Sequence, residues 1–288
     1  MAALIFDDAA MPTPLPPPLI DPVRLQALLG VACGRFDVDA IAECASTSSL
    51  LLERASQGAP AGSVIVADRQ LAGRGRRGRH WLSSPESSLT FSLLWRFDGS
   101  VERLAGLSLA VGVAIARALE ACGAGGIALK WPNDILFVEN GRYAKLGGIL
   151  VELQGERQDE RRSMLAVIGV GLNLQLPTID ESEAAFAHPV AALSQALPSL
   201  PDRHDLLAQV LSELAVVLDC FSAGGFAALR DDWQARNAWQ DRPVRLLHDG
   251  VVEKEGVCRG ADADGALLIE TAHGLERCLS GDLSLRAA

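Results

Sequence analysis

A chain of 288 residues that is 49% hydrophobic and only 22% charged can build a full core and a second small domain, which argues against wholesale disorder. Its net charge of −10 argues against a protein that holds nucleic acid or an anionic membrane by overall charge, so any anion must be captured locally. Six scattered cysteines, with no C-x-x-C and no nearby His pair, argue against a zinc site or a disulfide scaffold and for reduced thiols.

In chain order, residues 1–40 read as an N-terminal extension. PTPLPPPL (12–19) should be extended or flexible, with one short helix in DPVRLQALLGVA. The opening MAALIFDDAA is broken by Asp7 and Asp8 and has no signal-peptide core. No helix-turn-helix with a basic recognition helix is legible there, so DNA binding is not expected. From about residue 41, TSSLLLERA reads as a helix start capped by Thr47 or Ser48. GSVIVADRQ and LTFSLLWRF read as strands flanking an Arg/Gly loop. The run through 104–121 is apolar all round, carries Arg117 and Glu120, and reads as a core helix ended at Gly123 rather than a membrane span.

IALKWPNDILFV predicts strand, tight turn, strand. KLGGILVELQ and SMLAVIGVGLNLQL add two strands joined by the polar loop GERQDERR. An acidic connection, LPTIDESEAAFAHPVAA, precedes helices over about 203–222 and 225–236. These elements predict an α+β fold, a mixed and mostly antiparallel sheet with packed helices, over 41–238. Short strands separated by DG, DADG and AHG turns predict a small β-barrel over 239–288.

Of the 26 basic residues only three are lysine: Lys130, Lys145 and Lys254. A compact ammonium fits where a planar guanidinium cannot, so the retained lysines invite particular uses. GRGRRGRHW (73–81) places Arg74, Arg76, Arg77 and Arg79 in one loop. It matches G-x-G-x-x-G after a strand, but a dinucleotide turn needs a following helix and RHWLSSPESS supplies none. An RGG-type nucleic-acid segment would come in repeats with free flanks. A solvated basic loop is the plain alternative. The functional alternative is a loop folding over a phosphorylated ligand, with glycines letting the backbone approach and arginines gripping oxygens.

In KWPND, Pro132 fixes a bend with Lys130 and Asp134 at its ends. Asp134 could hold Mg²⁺ beside a phosphate, or Asn133 and Asp134 could simply be turn formers. In KLGGILVE, Gly147 and Gly148 could open the sheet to a ligand beside Lys145, or mark a bulge. Asn173 in GVGLNL must find backbone or ligand partners.

In this order and spacing GRGRRGRHW, KWPNDI, KLGGILVE and GVGLNL resemble the biotin–protein ligases. The terminal RGADADGALLIE and GDLSLR resemble that family's SH3-like C-terminal domain. The resemblance implies a class II synthetase-like catalytic domain and chemistry in two steps: ATP and biotin form biotinyl-5′-AMP with Mg²⁺, then a lysine of the biotin carboxyl carrier protein of acetyl-CoA carboxylase takes the biotin.

It implies that Ser46, Thr47, Ser48, Gln70, Arg74, Gly75, Arg76, Lys145 and Gly148 meet biotin. It also implies that Arg79, Trp81, Lys130, Asn133, Asn173 and Arg259 meet the nucleotide. Arg76, Lys145 and Asp134 would carry the catalysis, with Asp134 also on the metal. Ser48 stands where the family has Asn, His80 where Lys is common, and Phe186 and His188 where some relatives stack a Trp on adenine. The nearest rival is a lipoate ligase or octanoyl transferase. A cytoplasmic enzyme with no nucleic acid or membrane partner completes the expectation; the family's ligases can pair through sheet edges, so a homodimer stays open, with no unpaired edge identifiable in the sequence.

Overall fold

A computed structural model describes residues 16–158, 161–176, 189–279 and 283–288. Residues 12–15 of the proline-rich stretch, Phe186 and His188 lie outside the described residues.

Seven strands form the main sheet in the order β1-β2-β3-β7-β6-β5-β4. They are β1 (Asp37–Cys44), β2 (Ser63–Gln70), β3 (Ser88–Asp98), β4 (Ile127–Lys130), β5 (Asp134–Glu139), β6 (Arg142–Gln158) and β7 (Arg161–Asn173). Only β1 and β2 run parallel; the other neighbours are antiparallel. In the polar stretch expected as a loop, residues 155–158 and 161–162 continue β6 and β7 as a paired ribbon (Glu156 opposite Ser163). Backbone pairing of this kind does not require apolar side chains.

The helices are α1 (Pro22–Leu29), α2 (Thr47–Ser56), α3 (Leu107–Ala121), α4 (Leu193–Ala196), α5 (Arg203–Gly224) and α6 (Arg230–Ala235). Beyond them a five-stranded, wholly antiparallel sheet holds β8 (Pro243–His248), β9 (Val251–Ala261), β10 (Leu267–Thr271), β11 (Gly274–Cys278) and β12 (Leu283–Ala287), in the order β11-β10-β9-β8-β12. This is the small C-terminal domain that the turn spacing predicts.

Two corrections concern the N-terminal half. Residues 20–40 are not a free extension: Ile20, Leu25, Leu29, Phe36 and Val38 are buried in the main core. Strand β1 begins at Asp37 and went unread because its charged, half-buried pattern lacks a clean alternation. The cap of α2 is Ser46, whose side chain accepts from Ser49 N, one residue before the expected Thr47 or Ser48.

The sheet separates two cores of unequal size. One face packs on α1, α3 and α5; α3 is apolar all round because α5 covers the side the sheet leaves open. By composition α3 with its preceding turn (Val101–Ala121) and α5 are long and apolar enough to cross a membrane, yet in the fold both are core helices. On the other face α2 covers only a patch, where Leu51 and Ala55 meet Ile65, Leu94, Leu165 and Val167. Fully buried Leu51 contributes roughly 2–3 kcal/mol to that contact.

Candidate active site

Strand periodicity explains where the sheet stays open. Side chains alternate faces, so Leu165, Val167, Gly169, Gly171 and Asn173 share one face of β7. Their neighbours on β3 are Leu94, Ser92, Thr90 and Ser88, in a register that pairs Ser92 with Gly169, Thr90 with Gly171 and Ser88 with Asn173. The apolar end of this face lies under α2. Its glycine and hydroxyl end is left as the floor of a cavity of about 550 Å³, within the range of small-molecule sites.

The N-terminus of α2 forms one wall. Gln70 Oε1, at the end of β2, accepts from Thr47 N (2.7 Å) and Thr47 Oγ1 (3.1 Å). Ser92 Oγ lies 2.8 Å from Thr47 Oγ1 and 3.0 Å from Ser48 Oγ. Buried hydroxyls are thus already bound to one another, apart from Thr90 Oγ1, which is buried at the cavity with no protein partner. An orphaned hydroxyl in a cavity wall is a place for a ligand atom.

The Arg/Gly loop forms the roof. It folds back as a small hairpin, with Trp81 N donating to Gly73 O (2.9 Å) and Gly75 N to Arg79 O (2.7 Å). Gly73 is required there, since a Cβ would stand 2.3 Å from Trp81 O. Arg74 pairs with Glu152 and donates to Ser49 Oγ; Arg76 donates to Asn133 Oδ1 (3.2 Å). Trp81 lies across Gly171, where a Cβ would sit 2.3 Å from Cε2, and its buried Nε1 has no protein partner. The small residues of β6 and β7 therefore make room for an aromatic side chain of the chain itself.

Lys145 stands at the edge of the cavity. A β-bulge between Lys145 and Gly147 re-aims it, which is the bulge reading of KLGG. Its Nζ meets Asp134 Oδ1 at 2.7 Å, while Lys130 Nζ meets Asp134 Oδ2 at 3.0 Å. Burial alone would raise the Asp134 carboxyl. The charges and hydrogen bonds of Lys145 and Lys130 overcome it and hold the group well below the carboxylate range. Burial pushes the Lys130 ammonium down, against the pull of Asp134. Asn173 answers its question with backbone: Nδ2 donates to Ala191 O (2.9 Å) and Lys145 O (3.3 Å), pinning residue 191 against β6.

Of the residues singled out in the sequence, Ser46, Thr47, Ser48, Gln70, Arg74, Gly75, Arg76, Arg79, Trp81, Asn133, Lys145, Gly148 and Asn173 all line this cavity. Lys130 and Asp134 stand behind Lys145 instead of lining it. Arg259 does not join them; its guanidinium pairs with Asp241 and Glu270 on the C-terminal sheet. A C-terminal residue outside the cavity lining, Arg286, nevertheless feels the charges of the site, and the sequence did not mark it. Burial lowers its guanidinium, Asp134 opposes that, and Arg79 and Arg77 reinforce it, which places all of them within electrostatic reach. Thr90, Ser92, Gly169 and Gly171 were also missed. Their signal was the matched alternation of Ser-x-Thr-x-Ser with Gly-x-Gly-x-Asn, visible only once β3 and β7 are known to pair.

Arg74, Arg76, Arg79 and Lys145 line the cavity, and no carboxylate is among the described lining residues. In a chain of net charge −10 that asymmetry fits anionic ligands. A metal cage is a different matter. Among the described residues no three His, Cys, Asp or Glu side chains converge, and both oxygens of Asp134 already face ammonium groups. The residues do not fit a resident metal ion.

Comparisons with known proteins follow the same lines. Residues 41–173 match the Biotin/lipoate A/B protein ligase family, and residues 241–286 match the Biotin protein ligase C terminal domain. The chain is 36% identical to the bifunctional ligase/repressor BirA of Escherichia coli, over 84% of this chain and 72% of that protein. It is 32% identical to the biotin–[acetyl-CoA-carboxylase] ligase of Mycobacterium tuberculosis, over 89% and 91%. Among solved structures, the biotin protein ligase of Aquifex aeolicus in complex with biotin and ATP superposes with a TM-score of 0.70 at 29% identity, covering 88% of this chain and 99% of that one.

Proposed function

We propose, on the premise that the chain belongs to the biotin/lipoate A/B protein ligase family, that it is an ATP-dependent biotin–protein ligase. Biotin's carboxylate attacks the α-phosphorus of ATP and pyrophosphate leaves. A lysine amine of a biotin carboxyl carrier protein then attacks the acyl carbon of biotinyl-5′-AMP, and AMP leaves. One observation carries the reading: a cavity floored by glycine and hydroxyl groups, roofed by arginines, with Lys145 at its edge and no acid in its lining.

The first step brings two anions together, so cations placed between them lower its barrier. In this reading the hydroxyl-lined end by Thr47, Ser48 and Thr90 receives the ureido group, and the biotin carboxylate lies toward Lys145. Arg76 and Arg79 cover the adenylate, with Arg286 contributing charge from the C-terminal domain. Asp134 serves as the anion that holds Lys145 in place. Mg²⁺ comes in on the phosphates of ATP, as that ion does where a protein offers no carboxylate cage.

The proposal assigns the chain two units, residues 41–238 with 20–40 packed on them, and 239–288. It assigns a cytoplasmic setting, which suits six cysteines that are all free. It assigns no nucleic-acid partner, in keeping with the net charge, and pairing between copies through the outer edge of β1, an end strand of the main sheet.

Incubation with ATP, a carrier domain and either biotin or lipoate tests the function; the carrier should gain mass with biotin alone. Gain with lipoate but not biotin would transfer the chain to the rival activity, which the match of residues 241–286 to a biotin ligase domain disfavours. Arg76→Ala should release the adenylate on the order of ten-fold faster while altering biotin affinity far less, because a charge-assisted contact over the anhydride is lost. Unchanged retention of the intermediate would remove Arg76 from that role.

A further inference from the structure

The arginine next to Arg76 faces away from the cavity and toward the C-terminal domain. Arg77 Nη2 lies 2.6 Å from Asp249 Oδ1, and its Nη1 donates to Ser284 Oγ at 2.9 Å. These partners are more than 170 residues away in the chain (|i−j| of 172 and 207).

Three features set this contact apart from an ordinary surface ion pair. First, Arg77 has φ 62° and ψ 36°, a left-handed conformation unusual for any residue but glycine. The loop has glycines to spare, so a non-glycine residue kept there points to a use for its side chain. Second, Asp249 sits in a tight turn. It and Gly250 both have positive φ (48° and 83°), the signature of a tight two-residue hairpin turn between β8 and β9. Ser284 stands on β12 opposite Leu247 of β8. Third, the C-terminal sheet is itself anchored to the catalytic unit. Trp131 Nε1 donates to Gly265 O (3.1 Å), Ala261 N donates to Gln234 Oε1 (2.8 Å), and Gly265 packs against Gly106 too closely for a Cβ. The roof of the cavity is thereby tied to the C-terminal sheet.

We propose that Arg77 is a positioning residue that latches the Arg/Gly loop to the C-terminal domain, so that this domain sets how tightly the loop closes over the cavity. The inference rests on the proposed function for its catalytic consequence, but the latch itself is a matter of loop position. Arg77 touches no substrate in this scheme. It places Arg76 and Arg79, its neighbours in the loop, and β12 carries both the latch partner Ser284 and, two residues on, Arg286.

The test uses the full chain in four forms: wild type, Arg77→Glu, Arg77→Gly and the charge exchange Arg77→Glu with Asp249→Arg. Two rates are read. One is limited trypsin cleavage within residues 74–79, which keep Arg74, Arg76 and Arg79 as cleavage sites in every form. The other is AMP release from biotin and ATP without carrier, which reports escape of the intermediate.

Arg77→Glu and Arg77→Gly should each raise both rates about five-fold, the scale of a lost, partly exposed ion pair. Glycine is at ease at φ 62°, so its effect cannot come from backbone strain. The exchange should return both rates to within about two-fold of wild type. The latch is overturned if Arg77→Glu cleaves and releases AMP at wild-type rates, or if the exchange recovers nothing. A wild-type enzyme that forms no AMP would instead sink the proposed function, while the cleavage rates still judge the latch.

Discussion

Lys145→Ala should form biotinyl-5′-AMP about 10²–10³-fold more slowly in single-turnover assays, with a smaller loss of biotin affinity. The ammonium is one of four cationic groups lining the cavity, and it is held by a bulge on one side and Asp134 on the other. A preorganised charge beside a developing negative centre is typically worth that factor, because it needs no reorganisation when the reaction occurs. Lys145→Arg should not rescue it. A Cβ on Gly148 would lie 3.3 Å from Lys145 Nζ, so the ammonium is packed closely over the strand, where a planar guanidinium is the wrong shape. Lys254→Ala is the control: that lysine pairs with Glu276 on the C-terminal sheet and should leave the rate unchanged. A Lys145→Ala enzyme within three-fold of wild type would remove the ammonium from the mechanism.

The second large effect is on stability. Asp134→Asn should cost about 3–5 kcal/mol and lower Tm on the order of 10 °C, because two ammonium groups lose the carboxylate they share and one, Lys130, is only 4% exposed. The amide is nearly the same shape, so the loss is one of charge. Adding Lys130→Met to Asp134→Asn should recover part of the stability, since replacing both partners of a buried pair is cheaper than breaking it.

The pH dependence follows from the lowered carboxyl of Asp134. The folded chain binds that proton less readily than the unfolded chain. Its contribution is therefore complete above the unfolded aspartate value of about 4 and declines as the pH falls below it. Wild type and Asp134→Asn should differ most near neutrality and converge in acid, as urea unfolding at several pH values would reveal. A gap that stays constant down to pH 3 would mean that Asp134 is not held as an anion by its two lysines.

Arg74, Arg76, Arg79 and Lys145 were legible in advance because Arg/Gly richness and lysine scarcity are properties of the chain itself. The sequence by itself determined strands β2 to β7, the hairpin at KWPND, the core helices and a small β domain at the C-terminal end. These follow from periodicity, turn chemistry and composition, all of which act over a few residues.

What the tertiary structure alone decided lies between residues far apart in sequence or joined by register. That Thr90 meets Gly171, that Lys130 and Lys145 share one carboxylate, that Arg286 feels the charge of Asp134 while Arg259 is engaged elsewhere, and that Arg77 reaches Asp249 are such facts. Distances of this kind are set by how sheets twist and layers pack around a common core, and no local propensity encodes them.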